Sequence, residues 1–192
     1  MRIRVHPFAL TGFFCMAVMM PFPVFCGFGI AVFLHEAGHV LAAALIGKKP
    51  ESVAFLPVGI TLQYRNAESY RAGRAVALAG PAVNLMTFFL CQVLLPENAF
   101  SVAIRDFSLS LALLNLLPVS IFDGGMALYA TVCPLLGPDR ADTVRSVCDV
   151  LLLGFLWLSA VYLLFYTARN ASLFVLCTYL FAVLILKNEK CA

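Results

Sequence analysis

Phe33-Leu34-His35-Glu36-Ala37-Gly38-His39-Val40-Leu41 is the stretch that decides the fold. It holds the pattern His-Glu-x-x-His. On a helix, His35 and His39 lie one above the other on the same face. Two imidazoles so placed can converge on one zinc ion, and Glu36, next to a ligand, can reach a water at the metal. The flanks are Ile30-Ala31-Val32 before and Ala42-Ala43-Ala44-Leu45-Ile46 after. Groups that bind metal and move protons therefore sit inside what otherwise has the length and composition of a membrane span.

The rest of the chain agrees with that setting. Its 192 residues are 62% hydrophobic and only 12% charged, with a mean hydropathy of +0.96. A soluble domain is nearer about a quarter charged. The composition predicts an all-α polytopic membrane protein whose helices pack by shape and polar contacts within the bilayer. The net charge of +3 contains no basic run, which speaks against nucleic acid as a partner. Seven cysteines without a Cys-x-x-Cys pair form no zinc or redox motif. Arg2 and Arg4 before an apolar run mimic a secretory signal. That run continues through the His-Glu motif without a small-residue cleavage site, so it is expected to be retained.

A span takes about 20 predominantly apolar residues. Six candidates fall at about 8–26, 28–47, 74–95, 106–136, 147–167 and 170–187. Pro21 and Pro23 interrupt the first. The fourth is too long for one straight span, and Pro118 with Asp123-Gly124-Gly125 predicts a broken helix at membrane depth. Between the second and third, residues 52–64 are apolar and β-branched around Pro57-Val58-Gly59, which predicts a short β-hairpin. Its edge could receive an extended substrate, or the hairpin could simply anchor the loop.

Six spans put both termini on one side. That side collects Arg2, Arg4, Lys48, Lys49, Arg65, Arg71, Arg74, Arg140, Arg145, Lys187 and Lys190, leaving Arg105 and Arg169 for the other. The positive-inside rule then makes both termini cytoplasmic. The second span runs inward, with His39 about two turns from its cytoplasmic end, so the site is expected to open toward the cytoplasm.

A catalytic zinc takes three protein ligands and keeps one open position. His6 precedes the first span and is expected at the membrane interface. Most acids fall in loops, near span ends or in the tail, and Asp149 near the start of the fifth span is expected at the interface. Asp123 is deep in the fourth segment, where an ionised aspartate costs about 2.5–3.5 kcal/mol on insertion scales. A Zn²⁺ ion would offset that cost. The predicted centre is therefore His35, His39 and Asp123 as ligands with Glu36 as base. Taken singly, the pieces allow other readings. A His-Glu-x-x-His can be a structural polar pair, and an intramembrane aspartate can serve a proton relay or transport path. A non-proteolytic zinc-binding membrane protein and a small metal or ion transporter are the alternatives. No inverted repeat of the transporter kind is visible.

Three segments together carry a family resemblance. The His-Glu-x-x-His span is followed by Ala79-Gly80-Pro81-Ala82-Val83-Asn84, and then by Asn115, Pro118, Asp123 and Gly124 in the register Asn-x-x-Pro-x-x-x-x-Asp-Gly. The chain resembles the site-2 protease family of intramembrane zinc metalloproteases, in which the last of these segments supplies the third ligand. Within that family it is most similar to the bacterial sporulation branch, the stage IV forespore B type, through Val5-His6-Pro7-Phe8 and Phe55-Leu56-Pro57-Val58-Gly59. The resemblance implies one catalytic Zn²⁺ in a multi-pass protein of the bacterial cell membrane. It also implies hydrolysis of a peptide bond in or near a transmembrane segment of a membrane-associated protein, and a membrane regulatory partner. Asn115 and Asn84 are intramembrane amides that could bind substrate backbone or a developing oxyanion, or could hydrogen-bond between helices. Pro118 would free backbone groups near the site, and Gly38, Gly80, Gly124 and Gly125 would allow close backbone approach. Two departures stand out. The family's second proline is Ser120 here, followed by Ile121. The regulatory domain that follows the sixth span in the sporulation branch has no counterpart before Ala192, so one domain, 1–192, is expected.

Overall fold

Pro21 and Pro23 start the motif-bearing helix rather than interrupting a preceding span. Helix α1 runs Phe22–Leu45, with Pro21 as its N-cap and a proline in its first turn. A proline there removes no hydrogen bond, and its fixed φ suits a helix start. The span expected at 28–47 thus begins at Phe22, and residues 22–26 belong to it rather than to the expected first span. The 24 residues of α1 rise about 36 Å, enough to cross a hydrocarbon core of about 30 Å. The computed structural model describes residues 2–5, 14, 17–47, 50–56, 59–64, 69–167, 174, 175 and 177–182. The first part of the expected first span and more than half of the sixth lie outside the described residues.

Helix α2 spans Tyr70–Leu94. Helix α3 spans Ala99–Leu116 and starts at a capping box: Asn98 Oδ1 accepts from the N–H groups of Phe100 and Ser101, and Ser101 Oγ accepts from Asn98 N–H. Three N–H donors at the helix start are satisfied in this way, which fixes the start near Asn98 rather than at residue 106. The expected fourth segment proves to be two helices. α3 stops before Pro118, and α4 covers only Asp123–Leu136. At 14 residues, α4 is too short to cross a bilayer by itself. Gly137, at φ 83°, ends it in a left-handed conformation that glycine adopts without penalty. Helix α5, Pro138–Thr167, begins well before the expected residue 147.

Among the described residues, four helices are long and apolar enough to cross a membrane: α1, α2, α3 and Pro138–Tyr166 of α5. The protein is a multi-pass helical membrane protein, and the expected first and sixth spans fall partly outside the residues in which these four were found. Helices α1, α2 and α3 pack on one another, and α4 lies against α2 and α5. Close approach depends on small residues. A Cβ on Gly38 would lie 2.9 Å from the Ala79 carbonyl oxygen and 3.1 Å from Gly80 Cα, so α1 and α2 meet there nearly backbone to backbone.

Three short strands accompany the helices: β1 Arg2–Val5, β2 Pro50–Leu56 and β3 Gly59–Tyr64, in the order β1-β2-β3. β2 and β3 pair antiparallel, with Val53 opposite Leu62 and Ala54 opposite Thr61. Residues 57 and 58, where the expected turn falls, lie outside the described residues. β1 pairs parallel with β2, Ile3 opposite Val53. Parallel neighbours need a long crossover, and here α1 lies within it. Among the described residues, the outer edge of β3 is open.

Candidate metal centre

His35 and His39 are one turn apart on α1, and both are buried, at 6% and 8% exposure. Asp123 reaches them from the first turn of α4. Their ligating atoms form a near-equilateral triangle. His35 Nε2 lies 3.1 Å from Asp123 Oδ2, His39 Nε2 lies 3.2 Å from the same oxygen, and the two Nε2 atoms are 3.2 Å apart. A tetrahedral zinc with ligands at about 2.0–2.1 Å holds them roughly 3.3–3.4 Å from one another, close to these edges. Asp123 Oδ2 is buried with no hydrogen-bond donor aimed at it, although both imidazoles are within ion-pair range. Three lone-pair atoms gathered in this way repel one another unless a cation lies among them. Among the described residues, they are the only three His, Cys, Asp or Glu side chains grouped for a metal. The donor set, two imidazoles and one carboxylate, fits zinc.

Helix α2 orients both imidazoles from behind. His39 Nδ1 is 2.8 Å from the Val76 carbonyl oxygen, so Nδ1 carries the hydrogen and Nε2 presents its lone pair to the centre. Asn84 is fully buried, and its amide nitrogen is placed 3.2 Å from His35 Nδ1. In that placement Asn84 Oδ1 has no hydrogen-bond partner. Turning the amide by half a revolution resolves both ends, because its oxygen and nitrogen have the same shape. Oδ1 then accepts from His35 Nδ1–H, and His35 Nε2 is left to ligate, as in His39. Asn84 therefore lies on the far side of His35 from the ligand triangle, and the geometry favours a hydrogen bond to an imidazole over contact with substrate. Replacing Asn84 with leucine keeps the volume and removes the acceptor. The expected result is about 10–100-fold weaker zinc binding in a chelator competition. Affinity equal to wild type would remove Asn84 from this role.

Gly80 makes room for the pair. A Cβ there would lie 2.7 Å from His39 Cε1 and 2.9 Å from His35 Cε1, so any side chain would push both rings. Gly124 plays the corresponding part for Asp123. A Cβ on it would run into the carbonyl oxygens of Leu116 and Leu117, so the first turn of α4 can sit directly on the end of α3. Pro118 lies in the loop between them, where α3 has already ended. Glu36 follows His35 on α1 and is half-buried. Asn115, also half-buried, donates from Nδ2 to the Leu111 carbonyl at 3.0 Å, a bond within its own helix. Sequence reasoning missed two other contacts, both long-range: the Val76 carbonyl behind His39, and a tie from Ser120 to Asp149 just before Asp123.

The His₂-carboxylate group is thus buried between helices long and apolar enough to cross a membrane, and its donor set is that of a catalytic zinc site. Comparison with known proteins finds likenesses in fold and in sequence. The site-2 protease of Methanocaldococcus jannaschii shares the fold, with a TM-score of 0.64 over 93% of this chain and 86% of that one, at 21% identity. A protein of Synechocystis sp. named as a zinc metalloprotease is 30% identical over 137 residues, 67% of this chain. Stage IV sporulation protein FB of Bacillus subtilis is 26% identical over 172 residues, 80% of this chain. No family model matches. The chain is thus similar in fold to a site-2 protease and in sequence to a zinc metalloprotease and a sporulation protein, and Zn²⁺ is the ion that its ligand triangle fits. It spans 36% of the length of the Synechocystis relative and 57% of the Bacillus relative.

Proposed function

We propose that the protein hydrolyses a peptide bond in or near a transmembrane segment of a membrane-associated protein. The observation that carries this is the ligand triangle of His35, His39 and Asp123, with Glu36 the next residue after His35, inside helices of membrane-crossing length. When bound, zinc supplies a Lewis acid that polarises the scissile carbonyl and makes water acidic enough to attack near neutral pH. His35, His39 and Asp123 would hold the ion. Glu36 takes a proton from the attacking water and returns it to the leaving amine. Asn115 is close to the break before Asp123. If its side chain turns from Leu111, its amide can donate to the substrate backbone or to the developing oxyanion. The presence of Glu36 speaks against a purely structural metal site, which has no use for a base there.

A helical substrate hides its peptide bonds and must be held extended to be cut. The open edge of β3 is suited to that, because backbone pairing recognises an extended segment whatever its side chains. The distribution of basic residues supports cytoplasmic termini and a centre reached by water from the cytoplasm. The lipid bilayer and a membrane regulator complete the expected set of partners.

Purified protein in liposomes, offered a panel of transmembrane substrates, should cleave at least one. Cleavage should stop on zinc chelation and return when zinc is added back. Zinc-loaded protein that cuts none of them but moves metal across the liposome would make it a transporter. A reporter fused after Ala192 should be active only in its cytoplasmic form, and activity on the other face would reverse the orientation.

A further inference from the structure

Asp149 lies within α5 at 4% exposure. Its carboxylate faces the loop that joins α3 to α4. Ser120 N–H donates to Asp149 Oδ1 at 2.6 Å, and the Ser120 hydroxyl donates to Asp149 Oδ2. One residue thus closes on both carboxylate oxygens, three positions before Asp123.

The loop geometry explains why Ser120 needs this partner. Phe122 N–H donates to the Val119 carbonyl at 2.9 Å, which makes Val119–Phe122 a β-turn with Ser120 in its second position. That position suits proline, because its φ is near −60° and its N–H takes no part in the turn. With serine there, the N–H is left over in a low-dielectric interior, where an unmet donor is costly. Asp149 meets it. The rest of the loop is gripped on the same side. Val119 and Phe122 form a buried cluster with Leu153, one turn along α5 from Asp149, and with Leu180. Beyond Phe122 the chain enters α4, where Gly124 and Gly125 leave almost no space between the first turn and the loop carbonyls. A shift at Ser120 is therefore passed to Asp123 with little slack.

We propose that Asp149 is a positioning residue of the metal centre, holding Ser120 so that Asp123 Oδ2 stays in reach of His35 and His39. Its partner is the backbone and hydroxyl of Ser120, and together they do the work that a proline ring does at that turn position. The inference rests on the proposed metal site, so the test first establishes zinc binding by wild-type protein, with His35→Ala as the control. Zinc affinity is then measured by chelator competition on the full chain for three variants, beside the thermal midpoint of the metal-free protein. Asp149→Leu strands the Ser120 N–H, and Ser120→Pro strands the buried carboxylate. Each is expected to weaken zinc binding about 10–100-fold, the usual cost of losing an outer-shell partner. Ser120→Pro combined with Asp149→Leu removes the donor and the acceptor together, fixes φ by the ring, and should bring affinity back to within about threefold of wild type, since coupled sites are not additive.

If either single variant fails to fold, recovery of a folded, zinc-binding double variant supports the pairing by itself. A double variant no better than the worse single one overturns it. So does an Asp149→Leu protein whose thermal midpoint falls while its zinc affinity holds, since that is the mark of packing alone. Wild-type protein that binds no more zinc than His35→Ala would overturn the metal site itself, and the positioning role with it.

Discussion

Glu36→Gln is expected to keep zinc in place and slow peptide hydrolysis by about 10²–10⁴-fold, the range for loss of a general base. The substitution is nearly isosteric. It removes the proton acceptor without touching the His35, His39 and Asp123 triangle, whose edges of 3.1–3.2 Å involve no atom of Glu36. The two measurements therefore separate cleanly. Metal content by elemental analysis should match wild type, while turnover of a transmembrane substrate in liposomes collapses. Such a protein should also hold substrate without releasing products, which makes it a tool for capturing partners. Turnover near the wild-type rate would assign the base to another group. Zinc lost along with turnover would mean that Glu36 shapes the site rather than acting in it.

The centre was legible in the sequence because charge in an apolar run has few explanations. Histidines four residues apart on a helix and one aspartate deep in another segment each carry a desolvation cost, and one cation offsets all of it. The break between α3 and α4 was legible for a similar reason, since Pro118 and the paired Gly124 and Gly125 have distinct backbone preferences. Element ends were less so. Helix α3 starts at Ala99 because Asn98 and Ser101 cap it, a local hydrogen-bond fact to which a hydropathy window is blind. Helix α5 starts at Pro138, and its first turns carry Asp139, Arg140, Asp142 and Arg145, with Arg145 paired to Asp142 at 2.6 Å. Those turns are polar and fall outside any apolar run. The supports of the centre were hidden for a different reason: they are long-range. Asn84 and Val76 reach the histidines from another helix, and Asp149 meets Ser120 across 29 positions of sequence. Nothing in local composition joins such pairs. Even so, Ser120 stood out in the sequence as a serine where the resembled family has a proline.

Asp123→Asn should have the second large effect, and on zinc rather than on the base. The change keeps shape and hydrogen-bonding volume but removes the only anionic ligand among the three. An amide oxygen is a far poorer partner for Zn²⁺ in a site where little solvent can help. The loss in affinity is expected to exceed the roughly 10–100-fold that follows from disturbing an outer partner. Elemental analysis after desalting should find well under the roughly one ion per chain expected of a single-zinc site. Restoring the charge at a longer reach gives the matching control. Asp123→Glu carries the carboxylate on one more methylene, beyond a triangle already at ligand spacing, and Gly124 packs too tightly on the end of α3 for the helix to retreat. It should recover little of the affinity. If Asp123→Asn bound zinc as wild type does, the aspartate would be no ligand, and the closeness of its oxygen to both imidazoles would have to serve a proton path instead. Metal-independent proton movement across a liposome carrying the wild-type protein would then be the observation to seek.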